Sequence, residues 1–160
     1  MSFKQLYFDI AATTPMDIDV AEIIHRANIE NYGNPSSMHM SGQKSHNIVE
    51  RSRTSIAQIL NCKTSEIIFT SGGSESNNIV LKGILKKGDH LITSSYEHPS
   101  VLNLAKHLQQ NGVEVSFIKP LEHGSISAEQ VKSEIKSNTK LISIMYVNNE
   151  LGTINPISEI

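Results

Sequence analysis

The chain has 160 residues, of which 38% are apolar and 19% charged, and its formal net charge is -2. These values are ordinary for a soluble one-domain globular protein and argue against a basic nucleic-acid-binding surface. No apolar run approaches the roughly 20 residues that a membrane-spanning helix needs, and the N-terminus lacks an apolar signal core. The single cysteine, Cys62, rules out an internal disulfide framework and favours a reducing compartment, so we predict a cytoplasmic location.

The first part of the chain predicts two helices joined by a loop. Residues 7–15 indicate a short extended piece and a turn, because Pro15 disfavours helical geometry at Thr14. Apolar residues recur at helical spacing over 17–31, and acidic residues at the start suit the positive end of the helix dipole. Residues 33–37 predict a loop, and 41–60 a second helix. We expect an N-terminal segment over 1–15 and one domain over 16–160.

The remainder alternates between strands and helices. Short apolar runs predict strands at 66–70, 90–93, 113–118 and 140–147, and helical spacing predicts helices at 74–86, 99–110 and 128–136. Such alternation is typical of a parallel sheet with right-handed crossovers, so the predicted fold class is three-layer α/β/α. Asn155 and Pro156 resemble the N-cap and first residue of a further helix, which would be incomplete at Ile160.

Three polar clusters follow the predicted strands, at residues 71–78, 94–99 and 148–150. Ligands of open parallel sheets bind outside the carboxyl ends of the strands, so the clusters should share one edge. In the first cluster a glycine turn leads into a helix, where free backbone N–H groups and the hydroxyl of Ser74 suit an anion. A tight turn with a serine cap explains the same residues equally well.

The other two clusters are also ambiguous when read alone. His98 precedes a helix, where a cap or surface position is the commoner role. Asn148 and Asn149 end an apolar strand and either bind a ligand or cap a turn. Together the clusters predict a small ligand that carries a phosphate. His39 could face that site or solvent, and the other histidines, which lack metal-ligand spacing, are expected to be solvated: His25, His46, His90, His107 and His123.

Five motifs, in order along the chain, carry a family resemblance. They are Asp9-Ile10-Ala11-Ala12-Thr13-Thr14-Pro15, Gly33-Asn34-Pro35-Ser36-Ser37-Met38-His39, Phe69-Thr70-Ser71-Gly72-Gly73-Ser74-Glu75-Ser76-Asn77-Asn78, Glu97-His98-Pro99 and Val147-Asn148-Asn149-Glu150-Leu151-Gly152-Thr153. The chain thereby resembles the amino-terminal portion of NifS/IscS-type cysteine desulfurases. These are class V aminotransferase-like, fold-type-I enzymes that use pyridoxal 5'-phosphate (PLP).

The resemblance implies roles for six residues and no metal site. Gly73 and Ser74 would hold the cofactor phosphate, where the family usually has Ala-Thr. His98 would stack on the pyridine ring as a catalytic residue, and Asn149 would hydrogen-bond the phenolic oxygen of the ring. On the substrate side would lie Ala12 and Asn34.

The resemblance also implies partners, some of which this chain does not contain. Full-length relatives are homodimers that convert L-cysteine to L-alanine and pass sulfur, as persulfide, to an acceptor protein for iron–sulfur clusters or tRNA thiolation. Their Schiff-base lysine, which follows a histidine, and their sulfur-accepting cysteine correspond to no position here. The chain is therefore expected to be a portion that works with a missing C-terminal half. A non-catalytic remnant, a PLP- or partner-binding module and an unstable product remain alternatives.

Overall fold

The computed structural model describes residues 6–160, which form two compact units, one ending at Phe69 and the other spanning Thr70–Ile160. The first unit contains α1 (Ile18–Glu30), α2 (Met40–Ile59) and a 3-10 turn (Thr64–Glu66). The second contains α3 (Gly73–Ile84), β1 (His90–Ser94), α4 (Pro99–Gln110), β2 (Glu114–Ile118), α5 (Ala128–Ser133) and β3 (Thr139–Ser143). Within the described part of the chain, no helix is both long and apolar enough to cross a bilayer.

The two helices of the first unit begin at side-chain caps. The Asp17 carboxylate accepts hydrogen bonds from the backbone N–H groups of Asp19 and Val20, at 2.9 and 3.4 Å. At α2 the cap is His39, whose Nδ1 accepts from the backbone N–H of Gly42 at 3.3 Å. Gly42 is buried so closely against the preceding loop that a Cβ would lie 2.4 Å from the Ser37 carbonyl oxygen. Both helices confirm the sequence-based spans to within one residue.

The strand predicted over residues 66–70 is wrong. Glu66 ends the 3-10 turn, Ile67 is extended, and residues 67–70 belong to no sheet of the described residues. The Ile67 carbonyl accepts from the Arg53 guanidinium at 2.5 Å instead of from a neighbouring strand. The same guanidinium lies 4.9 Å from the centre of the Phe69 ring. An apolar run alone predicts extended backbone, whereas a strand also needs a partner with which to pair.

The sheet of the second unit has the order β2-β1-β3, and both pairs are parallel. The central strand, β1, is buried along its whole length. Alternate side chains of β1 enter two separate cores, because successive residues of a strand point to opposite faces. Leu91 packs with α3 and α4, whereas Ile92 packs with Val131 of α5. Helices therefore cover both faces, which confirms the three-layer α/β/α prediction.

The strand order explains why the helices lie on opposite faces. The chain leaves β1, passes through α4 to β2 on one side, and then returns through α5 to β3 on the other side. When the direction of travel across a sheet reverses, crossovers of constant hand place their helices on opposite faces. The carboxyl end of β1 lies at this reversal, where α/β sheets form ligand-binding crevices.

Two elements, β3 and α5, end earlier than the sequence predicts, each where a side chain accepts a hydrogen bond from a later backbone N–H. β3 ends at Ser143, and two residues later the Met145 N–H donates to the Glu97 carboxylate at 3.0 Å. α5 ends at Ser133 rather than Lys136, because the Lys136 N–H donates to the Thr139 hydroxyl at 2.8 Å.

The N-cap role expected of Asn155 is wrong, although a turn follows Pro156 in which the Ile160 N–H donates to the Pro156 carbonyl at 3.2 Å. The Asn155 side chain does not cap it. Instead, its Oδ1 accepts from the Ile126 N–H at 2.8 Å, and its Nδ2 donates to the Met145 carbonyl at 2.7 Å.

His90 is completely buried, so the expectation that it is solvated is wrong. Its Nδ1 lies 2.8 Å from the Thr139 hydroxyl, and its Nε2 lies 3.0 Å from the Ser116 hydroxyl. Ser116 in turn donates to the Glu134 carboxylate at 2.6 Å. Burial, and to a smaller extent the charge of Lys136, lowers the pKa of His90 below its ordinary value of 6.5. The network thus links all three strands through a neutral imidazole.

Acidification should destabilise the fold through His90. In the unfolded chain the pKa of a histidine is about 6.5, so the unfolded state binds a proton at a higher pH than the folded state does. We expect the free energy of unfolding to fall as the pH drops below about 6.5, and this loss to end once the folded imidazole is also protonated. Urea unfolding between pH 8 and 5.5 measures it. The slope should flatten in His90→Gln but persist in His107→Gln, an exposed position, and equal slopes in all three proteins would contradict the assignment.

Candidate functional site

The first polar cluster lies at the start of α3, where the sequence predicts a turn. Helix α3 begins behind Gly72, which has no side chain to cap the first turn. Gly73 and Ser74 are both exposed, and a Cβ built on Gly72 or Gly73 would meet no atom within 4 Å. The first backbone N–H groups of a helix have no partner within it and carry the positive end of its dipole. This helix start is open and suited to an anion.

One acidic side chain, that of Glu75, lies in the first turn of α3 and is hydrogen-bonded to the preceding loop. The Glu75 carboxylate accepts a hydrogen bond from the Ser71 backbone N–H at 2.6 Å. Hydrogen bonds from the backbone and the hydroxyl of Ser71 lower the pKa of Glu75 below its ordinary value. The carboxylate is therefore anionic at neutral pH, and its interaction stabilises the turn that presents Gly73 and Ser74.

The second cluster places His98 at the start of α4. His98 is exposed and forms the N-cap, with its Nδ1 accepting from the Ser100 backbone N–H at 3.1 Å. The Ser100 hydroxyl also lies 2.8 Å from Nδ1. From α3, the Asn77 amide donates to that same hydroxyl at 2.9 Å. Side chains thus connect the starts of α3 and α4, so the first two clusters are adjacent.

The third cluster is joined to the second by a buried carboxylate. Glu97 is only 6% exposed, and one of its oxygens accepts both from the Ser94 hydroxyl at 2.6 Å and from the Met145 N–H at 3.0 Å. Ser94 ends β1, and Met145 lies just beyond β3. Glu97 therefore fastens the loops that follow two neighbouring strands.

Asn148 and Asn149 have different environments. Asn148 is buried: its amide donates to the Tyr96 carbonyl at 3.1 Å, and its Oδ1 accepts from the N–H groups of Glu150 and Leu151 at 2.9 and 2.8 Å. Asn149 is exposed, and its amide lies 3.3 Å from the Glu150 carboxylate. Asn148 therefore holds the loop, whereas the side chain of Asn149 is available to a ligand.

Hydrogen bonds bring together the three clusters that contain Gly73, Ser74, His98 and Asn149. The two residues assigned to the substrate side belong to the first unit. Ala12 is exposed in a turn where its N–H donates to the Asp9 carbonyl at 3.1 Å. Asn34 is exposed, and its Oδ1 accepts from the Ser36 N–H at 2.9 Å. Their assignment to the substrate remains a prediction.

Sequence reasoning missed the residues that hold the clusters together. The motif that contains Glu97 does not indicate its role, and the local sequence indicates no role for Asn77 or Ser100. A carboxylate within a few residues of the end of a buried strand, as Glu97 is of β1, is a signal for a buried hydrogen-bonded pair, since isolated buried charges are costly. No comparable local signal marks Asn77 and Ser100, because they are 23 residues apart in sequence.

Comparisons with known proteins agree with this geometry. Residues 6–160 match the family model described as aminotransferase class-V. Cysteine desulfurase IscS 1 of Archaeoglobus fulgidus is 43% identical over 158 residues, which cover 96% of this chain and 41% of that relative. The resemblance to cysteine desulfurases inferred from the motifs is confirmed.

Solved structures give the same result. A structure described as SspA in complex with cysteine superimposes with a TM-score of 0.89 at 43% identity, over 96% of this chain and 45% of that one. A NifS-like protein superimposes with a TM-score of 0.93 at 35% identity, over 98% of this chain and 44% of that one. The chain thus spans about two fifths of the length of the relatives that it matches.

Loss of the Glu97 carboxylate should release the loop that follows β3. We expect Glu97→Ala to reduce the free energy of unfolding by about 1–3 kcal/mol, because a buried N–H and a hydroxyl lose their acceptor. Glu97→Gln keeps one oxygen that can accept both bonds, so its loss should be smaller. Urea unfolding measures both variants against Glu122→Ala, an exposed position, and amide exchange at Met145 localises the change. If Glu97→Ala and Glu122→Ala were equally stable, Glu97 would not fasten the loop.

Proposed function

Because this chain belongs to the class V aminotransferase family, we propose that it forms the PLP-holding part of a cysteine desulfurase. The observation that carries the proposal is the hydrogen-bonded assembly of three polar clusters at the carboxyl ends of β1 and β3 and at the start of α3. Each cluster offers one kind of group, namely free helix N–H groups, an imidazole and a carboxamide. Together these groups match a phosphate, a flat ring and a polar ring substituent.

The start of α3 fits the phosphate of PLP. Open space surrounds Gly72 and Gly73, and a helix N-terminus favours phosphate oxygens through its N–H groups and its dipole. Gly73 and Ser74 would therefore bind the phosphate, with the Ser74 hydroxyl as an additional donor. The Glu75 carboxylate would not bind a phosphate, because it has no proton to donate. It is instead hydrogen-bonded to the Ser71 backbone N–H.

The other two groups fit the ring. His98 would lie against the pyridine face, and the Asn149 amide would donate to the phenolic oxygen. When bound, PLP supplies an electron sink that allows bonds at the carbon of an amino acid to be broken. The residues of this chain bind and orient the ring, but they include no lysine that directly follows a histidine. The Schiff-base lysine and the sulfur-accepting cysteine would be supplied by the remainder of the family domain, which these 160 residues do not include.

Exposed apolar surface supports packing of these residues against the remainder of the domain. In the first unit α1 has no buried residue, and Ile18, Val20 and Ile23 are 75%, 48% and 67% exposed. In the second unit Leu151 and Ile154, next to the Asn149 loop, are 66% and 63% exposed. We propose that the remainder of the family domain covers these residues. The complete protein, a homo-oligomer in the cytoplasm, would convert L-cysteine to L-alanine and pass sulfur to an acceptor protein.

A PLP-binding module without catalysis is the second candidate, because the same clusters would bind the cofactor in either case. The exposed apolar surface favours a desulfurase whose remaining part packs on these residues, since a free-standing module has no need of such a surface. Binding of the cofactor tests what the two candidates share, and complementation separates them.

Substitution of Ser74 should weaken the binding of PLP but not that of pyridoxal, which has no phosphate. We expect Ser74→Ala to bind PLP about five- to tenfold more weakly, because one hydrogen bond to a charged group is lost. Equilibrium dialysis with both ligands measures the difference, and Ser133→Ala, on α5, is the matched control. Equal loss of affinity for PLP and pyridoxal would contradict the assignment of the phosphate to α3.

Complementation should restore desulfurase activity. We expect no cysteine-dependent sulfide release from this chain alone, and measurable release when it is mixed with PLP and a polypeptide that spans the remaining three fifths of a relative's domain. His98→Ala in this chain should abolish most of the restored activity, because the imidazole would contact the cofactor. The methylene-blue sulfide assay, with the added polypeptide alone as control, checks this. PLP binding without any restored activity would favour the non-catalytic module.

A further inference from the structure

A relay of three side chains leads from α3 to the imidazole of His98. The Asn77 amide donates to the Ser100 hydroxyl at 2.9 Å, and that hydroxyl lies 2.8 Å from His98 Nδ1. Nδ1 also accepts the Ser100 backbone N–H at 3.1 Å. Asn77 and Ser100 are half-buried, whereas His98 is exposed. Two supporting residues thus hold one ring nitrogen of a residue assigned to the cofactor.

The backbone N–H fixes the direction of every bond in the relay. A backbone N–H can only donate, so His98 Nδ1 must be an acceptor and carries no proton. The Ser100 hydroxyl therefore donates to Nδ1 and uses its oxygen lone pairs for Asn77. This requires the amide nitrogen of Asn77, not its oxygen, to face Ser100. Only one arrangement satisfies all three contacts, and in it the neutral imidazole carries its proton on Nε2.

We propose that Asn77 and Ser100 are positioning residues that fix the tautomer and the ring plane of His98 for the cofactor. This inference rests on the proposed function for its purpose, although the tautomer itself does not depend on the ligand. Among the described residues no acceptor reaches His98 Nε2, so the relay leaves the Nε2–H free to donate towards a bound ligand. The two hydrogen bonds at Nδ1 also restrict rotation of the imidazole ring. Less conformational entropy is therefore lost when a flat ligand stacks on the ring.

Two substitutions change the relay in different ways. Ser100→Ala removes the hydroxyl, so Nδ1 keeps only the backbone N–H. Asn77→Asp is nearly isosteric but can only accept, so it draws the Ser100 proton away from His98 and leaves oxygen lone pairs facing Nδ1. The reversed hydroxyl then competes with the Ser100 backbone N–H at Nδ1, so the fraction of His98 with a proton on Nδ1 should rise. Ser100→Thr keeps the hydroxyl and should restore the original state.

The test is side-chain NMR of the ¹⁵N-labelled chain without ligand. Long-range proton–nitrogen correlations distinguish protonated from unprotonated ring nitrogens, and loss of one signal set in His98→Gln assigns His98. We expect wild type and Ser100→Thr to show an unprotonated Nδ1 and a protonated Nε2. In Ser100→Ala and Asn77→Asp the two nitrogen shifts should move towards each other, whereas Ser133→Ala and Asn103→Asp, the matched controls, should resemble wild type. Unchanged shifts in both relay variants would overturn the proposal.

Cofactor affinity then separates this inference from the proposed function. If wild type binds PLP, Ser100→Ala and Asn77→Asp should bind it about fivefold more weakly, which corresponds to the loss of one net hydrogen bond. Unchanged affinity in variants with altered nitrogen shifts would overturn the positioning role. If wild type does not bind PLP although the shifts behave as expected, the proposed function fails and the relay stands as a property of the fold. Circular dichroism spectra confirm that each variant is folded.

Discussion

The Glu97 carboxylate holds the ends of two neighbouring strands together, and the geometry of the candidate site depends on that contact. A buried carboxylate is costly unless it is hydrogen-bonded, and Glu97 meets this demand with a hydroxyl from β1 and an N–H from beyond β3. The residue that follows Glu97 is His98, and the loop that begins at Met145 carries Asn149. One side chain therefore positions both His98 and Asn149, which are 51 residues apart in sequence.

The remaining part of the site depends on contact between helices. α3 and α4 share one apolar core with Leu91 of β1, which brings their first turns near each other. Asn77 and Ser100 then connect those turns with a hydrogen bond. Two sets of contacts thus position the site. Those at the strand ends position His98 and the loop that carries Asn149, and those between α3 and α4 position the start of α3. A rigid frame with exposed polar ends is the arrangement that a cofactor-binding site requires.

Periodicity and turn chemistry predicted most of the fold. The spans of α1, α2 and α4, and the central strand, agree closely with the structure, because each has regular apolar spacing and a strong end signal. The misplaced ends have a common cause. At β3, α5 and Asn155, contacts between residues distant in sequence capture backbone groups, and no local pattern reveals them. The strand expected at 66–70 failed for a related reason, since pairing depends on a neighbour.

The candidate site was predictable in part. The rule that ligands bind at the carboxyl ends of strands holds for the clusters that follow β1 and β3. The first cluster follows no strand of the described residues and is joined to the second by the hydrogen bond between Asn77 and Ser100. The sequence left undecided which of Asn148 and Asn149 serves the loop. The structure buries Asn148 with four hydrogen-bonding groups around it and exposes Asn149. His90 was misjudged, because its burial depends on polar partners in β2 and β3 that lie far along the chain.

The central claim is that the start of α3, His98 and the Asn149 loop form one binding site for a phosphorylated pyridine. Titration of the ¹⁵N-labelled chain with PLP, followed by backbone amide NMR, tests it most directly. The account predicts that the amides of Gly73, Ser74, His98 and Asn149 shift together with a single dissociation constant, while those of the α5 segment stay unchanged. Shifts confined to lysine-rich surface segments, with these four amides unmoved, would contradict it.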